Sequence, residues 1–382
     1  MKIGDLCEVV RGSSPRPKSD PRYYKGTVPR LMVADLTRDG KIVSARIDSL
    51  TELGAKQSRL MQQGDMVIAV SGAPGLPAIL AHEACIHDGF VGLRNLNLKR
   101  VCPNFLYSYL TFIRTTSKSQ AVGAIFKNLT TDQIKRIDIP ELPLEEQKRI
   151  AEILDRAQSL ISKRREAIGQ LDTLTQAIFI EMFGDPVTNP KGWERKPIKK
   201  IGEVITGNTP SRANPDYYGT AIEWIKSDNI NTPYYYLTQA EEGLSEAGKA
   251  VARIVAAGAI LVTCIAGSPA CIGNAAIVNR KVAFNQQINA LVPQQGNVHF
   301  LFAQILTAKR LIQDASTASM KGMVSKSRFE EIRLIFPPLN FQQEFARRAE
   351  AVEKLKAAHR ASLSELDALF ASLQHRAFRG EL

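Results

Sequence analysis

The chain has 382 residues, with 50 lysines and arginines against 38 aspartates and glutamates, a formal net charge of +12. That length suits two to four domains, and so basic a balance points to a polyanionic partner. No N-terminal apolar run has signal-peptide length, and the longest apolar stretch, residues 256–266, is too short to span a bilayer, so a soluble, cytoplasmic protein without membrane contact is expected.

Taken in chain order, residues 1–144 mix short β-rich runs with Gly, Pro and Asn turns. MVIAV at 66–70 reads as a buried strand and NFLYSYLTFIR at 104–114 as a helix. A single helix is predicted over 145–183. Its apolar residues Ile150, Ile153, Leu154, Ala157, Leu160, Ile161, Ile168, Leu171, Leu174 and Ile178 recur at spacings of three and four. FGDPVTNPKGW at 183–193 ends it with Gly, Asn and two prolines. A second globular part follows over 185–340, with a strand in AILVTCIA at 259–266 and a helix at 299–310. Another helix is predicted from about Gln342 to Phe378, through Phe345, Ala349, Val352, Leu355, Leu363, Leu366, Leu369, Phe370 and Leu373. At 1.5 Å per residue each long helix spans about 50 Å. Neither can bury its stripe on a small domain alone, and pairing the two as an antiparallel coiled coil solves that. The expected fold is α+β: two α/β domains at 1–144 and 185–340, alternating with helices at 145–184 and 341–382.

These elements form an internal two-fold repeat at a spacing of about 195 residues. LPLEEQKRIA at 142–151 returns as PPLNFQQEFA at 337–346, and EVVRGSSPR at 8–16 returns as EVITGNTPSR at 203–212. Tyr23–Tyr24 pairs with Tyr217–Tyr218, Gly64 with Gly258, and FLYSYL at 105–110 with FLFAQI at 300–305. Charge follows the repeat: residues 1–145 and 191–340 each carry a net +6, against −1 for 146–190 and +1 for 341–382. A polyanion held by both globular parts fits this; a basic amphipathic membrane helix does not. Simple solubility charge is the bland alternative. The five cysteines form no CxxC pair and do not match between repeats, which favours free thiols.

Several motifs suggest chemistry and fail. GLSEAGKA at 243–250 approaches a P-loop, but Ala250 stands where a Ser or Thr must hold magnesium and no apolar strand precedes it, so a loop is expected. NPDY at 214–217 resembles the Asn-Pro-Pro-Tyr motif of amino-methyltransferases, with Asp216 in place of a proline. No Gly-rich methyl-donor turn accompanies it. His82, Cys85 and His87 have no counterpart in the second repeat, and an ordinary strand or turn explains them. No Ser/His/Asp set has a supporting context. A binder without catalysis, metal or cofactor is expected.

Two loop sets suit DNA better. The loop at 12–25 contains Ser13, Ser14, Arg16, Lys18, Arg22 and Lys25, and its match at 207–218 contains Asn208, Thr209, Ser211, Arg212 and Asn214. Small hydroxyl and amide side chains beside arginine supply base-edge and phosphate contacts. Further loops lie at 71–77 with 267–274, which contains Asn274, and at 123–128 with 319–326, which contain Lys127, Asn128, Lys321 and Lys326. The plain reading of each is that Gly and Pro turn the chain there.

Those features in fixed order resemble the specificity subunit of type I restriction-modification systems. The resemblance covers nearly the whole chain. It rests on the paired helix entries at 142–151 and 337–346, the FGDPVTNPKGW linker, FNQQINAL at 284–291 and the closing SLQHRAFRGEL at 372–382. It implies that each globular part is a target recognition domain reading one half of a split double-stranded DNA target, and that the long helices set the gap and dock a pair of modification subunits. Those partners carry S-adenosylmethionine and methylate adenine, while restriction subunits use ATP to translocate and cut. The sequence departs from the pattern in two places. The first copy opens Met1-Lys2-Ile3-Gly4 without the Gly192–Trp193 lead of the second, and the segment aligned with FNQQINAL, GFVGLRNLNL at 89–98, lacks the glutamines. A degenerate adenine methyltransferase and a coiled-coil scaffold that never touches DNA are the competing readings. The missing donor turn argues against the first and the +6/+6 charge split against the second.

Overall fold

In the computed structural model, residues 1–18, 20–119, 130–316 and 322–382 are described. The chain divides into two compact units, Met1–Lys163 with Ser364–Leu382, and Arg164–Leu363. Each holds one copy of the same pair of sheets.

In the first unit one sheet runs Glu8–Arg11, Phe90–Arg94, Met66–Ala69, Pro77–Leu80 and Ile42–Val43, and the other Asp48–Leu50, Tyr24–Leu31, Ala84–Ile86 and Arg59–Met61. The second unit repeats the first four strands of one sheet as Gly202–Thr206, Ile288–Pro293, Ile260–Thr263 and Ala275–Ile277, with an isolated parallel bridge from Tyr236 to Ile277 in place of Ile42–Val43. It repeats the whole of the other as Gly243–Leu244, Tyr218–Ile225, Val282–Phe284 and Ile254–Val255. Both second sheets carry one parallel pair, Arg30 beside Cys85 and Trp224 beside Ala283. Both also break register at the same place, between Tyr24 and Val28 and between Tyr218 and Ile222. The fully buried strands Met66–Ala69 and Ile260–Thr263 are the apolar runs expected there. Gly64 and Gly258, which precede them, adopt left-handed φ values of +84° and +95° that favour glycine.

The helices expected at 104–114 and 299–310 are found as Pro103–Ser119 and as Val298–Thr307 followed by Lys309–Asp314. The long helices run Leu144–Phe183 and Leu339–Arg379, each starting a little before its predicted first residue. In the second unit the end of the former meets the start of the latter. Phe183 and Phe345 pack edge to face at 5.8 Å in one aromatic cluster with Phe179 and Phe300. Further along that pair Asp172 meets Lys356 at 3.0 Å and Arg164 meets His359 at 3.1 Å, so the two run antiparallel. In the first unit the roles reverse: Ile150, Ala151 and Leu154 share a core with Phe105 and Ala377, against which Phe378 packs. Each sheet domain is thus closed by the start of one long helix and the end of the other.

The helical stripe is wider than the seam that buries it. Ile150, Leu154 and Ile161 are buried, whereas Leu160, Leu174, Leu355 and Leu369 are exposed. A two-helix seam covers a narrower arc than apolar residues at three-four spacing occupy.

GLSEAGKA is not the plain loop expected of it. Gly243–Leu244 is a strand, and Ser245 caps the helix Glu246–Val251 by accepting from the Gly248 amide at 3.1 Å. Thr51 does the same for Gly54 in the first unit, also at 3.1 Å. The motif is a capped strand-to-helix turn, duplicated with the domain.

Candidate nucleic-acid interface

The two sequence-predicted loops have a common frame. Tyr24 Oη donates to the Pro15 carbonyl at 2.8 Å, and Tyr218 Oη donates to the Pro210 carbonyl at 2.7 Å. Gly12 and Gly207 press against the turn behind each loop. A Cβ there would lie 2.1 Å from the carbonyl oxygen of His87 or of Asn285, a distance only glycine permits. In that turn His87 Nδ1 accepts from the Gly89 amide at 2.9 Å, as Asn285 Oδ1 accepts from the Gln287 amide at 3.1 Å. This corrects the alignment of FNQQINAL with residues 89–98. The strand pairing sets Ile86-His87-Asp88-Gly89 against Phe284-Asn285-Gln286-Gln287, so Asp88 and Gly89 occupy the places of the glutamines.

On this frame the loop tips differ. In the first unit Ser14 Oγ donates to Asp88 at 2.8 Å and accepts from Arg30 at 3.1 Å. The Ser14 bond holds the Asp88 carboxyl below its ordinary range. Arg16 reaches Asp88 only at 3.7 Å. Arg22 is clamped to Asp20, with its nearest contact at 2.7 Å, and lies over Tyr23. Lys25 is exposed with a left-handed φ of +62°. Lys18 and Lys25 line a cavity of about 740 Å³ with Tyr24, Arg30, Asp48 and His87.

In the second unit Thr209 hydrogen-bonds Gln286, and Ser211 is exposed. Arg212 pairs with Glu242, which also holds Lys226; the two cations pull the Glu242 carboxyl down to about 2. Asn208 braces this tip: its side chain bonds the Val251 carbonyl at 2.9 Å and the Arg253 amide at 2.7 Å.

Asn274 and Lys326 lie in other neighbourhoods. Asn274 bonds Asn231 at 2.8 Å and accepts from Lys309, and Lys326 opens a short helix 3.7 Å from Glu330. Lys127, Asn128 and Lys321 lie outside the described residues. The structure adds Arg30, Asp48, Asp88, Trp224, Lys226, Glu242 and Gln286 to the loop neighbourhoods. Among these, Gln286 belongs to the FNQQINAL segment already singled out.

His82 is exposed while Cys85 is buried within a strand, and among the described residues no group of three His, Cys, Asp or Glu could hold a metal ion. All five cysteines are free. Burial pushes the thiols of Cys7 and Cys264 up to about 12, the opposite of an activated nucleophile. No helix among the described residues is long and apolar enough to cross a membrane.

Fold and site together define a duplicated α+β architecture: two copies of a two-sheet domain, each presenting a braced polar loop, alternating with long paired helices. Residues 1–170 and 190–368 match the family described as Type I restriction modification DNA specificity domain, and the chain belongs to that family. It is 34% identical over 166 residues to the type I restriction enzyme MjaIX specificity subunit of Methanocaldococcus jannaschii, a match covering 41% of this chain and 37% of that one. It is 29% identical over 154 residues to the HindI specificity subunit of Haemophilus influenzae, covering 39% and 32%. The matches thus span about a third of these relatives' length. A 20% identical match to the EcoKI specificity subunit of Escherichia coli covers 100% of this chain and 88% of that one. The fold is shared with a chain solved in work on assembly and conformational transition of a type I R-M system, with a TM-score of 0.65, 18% identity and coverage of 100% and 97%. It is also shared with the S subunit of a type I restriction-modification system from M. genitalium, with a TM-score of 0.56, 13% identity and coverage of 99% and 95%.

Proposed function

We propose that this chain is the DNA-recognition subunit of a type I restriction-modification complex and performs no catalysis itself. The observation that carries the reading is the repeated loop frame with different tips. The Tyr–Pro brace and the glycine contact recur, while Ser14-Pro15-Arg16-Pro17 is replaced by Thr209-Pro210-Ser211-Arg212. A constant frame with changed tips is what two readers of different half-sites need, since frame and phosphate contacts position while side-chain tips specify. Each unit takes one half of a bipartite duplex target, with an unread gap between the halves. Ser14, Arg16, Lys18, Arg22 and Lys25 serve the first half, and Thr209, Ser211 and Arg212 the second. Lys127, Asn128, Asn274, Lys321 and Lys326 contribute from the remaining loops. We place recognition domains at 1–144 and 185–340 and the connecting helices at 145–184 and 341–382. The helices dock a pair of modification subunits that bring S-adenosylmethionine, and restriction subunits join to translocate and cut with ATP.

The test combines binding and methylation. The purified chain should bind duplex DNA with an affinity that falls steeply with salt, by a slope of about −0.9 per phosphate neutralised. It should methylate nothing until a modification subunit is added, and the methylated sites should then be split. Robust methyl transfer by the chain alone would favour a degenerate methyltransferase. Absence of binding in a gel shift at two salt concentrations would favour a scaffold.

A further inference from the structure

Arg212 is an exposed cation of the second unit whose orientation is fixed from several sides. Its Nη1 and Nη2 donate to the two oxygens of Glu242, the second bond at 3.1 Å. Its guanidinium lies 4.4 Å from the centre of the Tyr218 ring and 5.2 Å from that of Trp224. Both rings are fixed by the recognition loop: Trp224 Nε1 donates to the Asn208 carbonyl at 3.2 Å, and Tyr218 Oη donates to the Pro210 carbonyl. Lys226 also donates to Glu242, at the oxygen that accepts from Arg212 Nη2.

A guanidinium has five N–H donors in a planar fork. Glu242 takes the end of the fork, between the two Nη atoms. The side edge, Nε–H with the adjacent Nη–H, keeps two parallel donors, and 56% of the side chain is exposed. In the major groove guanine offers two acceptors, N7 and O6. Adenine pairs an acceptor with a donor, cytosine a donor, and thymine an acceptor with a methyl group. A two-donor edge fits guanine alone.

We propose that Arg212 reads a guanine in the half-site held by the second unit, with Glu242 as the residue that positions it. This rests on the DNA-recognition reading above. The first unit does not share the device. There Arg30 stands where Trp224 stands in the second sheet and lies over Tyr24 at 5.2 Å. It is paired with Asp48 at 2.6 Å and Ser14 at 3.1 Å, and its Nε is buried. Only 12% of its side chain is exposed, so its edge is closed to a base.

A DNA phosphate also accepts two donors but contains no sequence information, and the experiment separates the two. The full chain and its Arg212→Lys and Glu242→Gln variants are used to select duplexes from a randomised library, and the enriched positions are compared. Lysine keeps the charge without the fork, and glutamine keeps the size without the fixed carboxylate pair. Both variants should relax one and the same guanine position, lowering discrimination there about tenfold or more. The first half-site should persist, which shows that the variants fold. Unchanged preference at every position in Arg212→Lys, or uniform weakening across sequences, would overturn the proposal. If the wild-type chain enriches no motif, the DNA-recognition reading falls and takes this proposal with it. A wild-type motif that survives both substitutions removes the proposal alone.

Discussion

Gln147 and Gln342 make the same buried bridge, one in each repeat. Gln147 Oε1 accepts from the Cys102 amide at 2.9 Å, and its Nε2 donates to the carbonyls of Leu142 and Arg100 at 2.9 and 3.0 Å. Gln342 Oε1 accepts from the Asn297 amide at 2.9 Å, and its Nε2 donates to the Pro337 carbonyl at 2.7 Å. Each ties the start of a long helix to the segment leading into the helix of its sheet domain. This gives the glutamine of the duplicated helix-entry motif its physical reason: the site needs one acceptor and one donor on the same side chain.

Replacing either glutamine by alanine should leave a part-buried amide unpaired, together with the Pro337 carbonyl at position 342 or the Leu142 and Arg100 carbonyls at position 147. The expected loss is roughly 1–3 kcal/mol for each substitution, read from urea denaturation of the full chain. Glutamate at position 342 should also destabilise, because an ionised carboxylate cannot donate to Pro337. Stability equal to wild type in Gln342→Ala would show that the bridge is incidental.

Lys356 sets a polar position within the helix pair. Only 6% exposed, it lies 2.7 Å from Glu353 and 3.0 Å from Asp172 of the facing helix. Lys356→Ala leaves two carboxylates without their shared cation. Breaking a fully buried pair costs about 3–5 kcal/mol; Asp172 is partly exposed, so a loss of roughly 1–3 kcal/mol is expected. A double-mutant cycle with Asp172→Ala should show coupling. Additive effects would mean that the contact across the helices contributes nothing.

The architecture was legible because its signals are periodic or duplicated. Three-four spacing marked both long helices, and strings such as EVVRGSSPR and EVITGNTPSR marked the two loops in matching places. The loop partners were hidden because sheet pairing, not sequence proximity, brings them in. Asp48 reaches Arg30 directly across a strand pair, and Glu242, just before the strand Gly243–Leu244, is brought to the Arg212 loop by that strand's pairing with Tyr218–Ile225. The register of the parallel strands also decided which residues match FNQQINAL, and one sequence contains no measure of that register. Trp224 and Lys226, two residues apart in IEWIK and so on one face of the strand's end, were the available hint of an aromatic and cationic site. Seam width, too, was not readable from periodicity: Leu160 and Leu174 continue the stripe yet stay exposed.

Acid should weaken both units through histidines kept neutral by burial. Burial lowers the pKa of His299 despite the nearby Glu350 carboxylate, and lowers that of His87 together with the Arg30 charge. The unfolded chain therefore takes up these protons at a higher pH than the fold does. Stability should rise with pH across the range below about 6.5 and fall on acidification, by at most about 1.4 kcal/mol per pH unit for each histidine. His87→Asn, which installs the residue found at the matching place in the second repeat, and His299→Phe should each flatten the dependence between pH 7.5 and 5.5. Slopes identical to wild type in both variants would assign the acid sensitivity elsewhere.

Within the first recognition loop the arginines should not contribute equally. Arg22 is clamped by Asp20, whose carboxyl it holds below the ordinary range, whereas Arg16 has 65% of its side chain exposed and only a 3.7 Å contact with Asp88. A phosphate can recruit Arg16 without breaking a good ion pair, and the exposed Lys18 is as open. For a duplex containing the first half-site, Arg16→Ala and Lys18→Ala should each reduce the slope of log affinity against log salt by about 0.9, the value of one lost phosphate contact. Arg22→Ala should change it less. Asp20→Asn, which frees Arg22, should steepen it and tighten binding to unrelated duplex as well, since a phosphate contact is blind to sequence. Titrations at four salt concentrations with fluorescently labelled duplex would measure all four variants. A larger effect from Arg22→Ala than from Arg16→Ala would show that the Asp20 clamp opens on DNA and that Arg22 is the principal backbone contact of this loop.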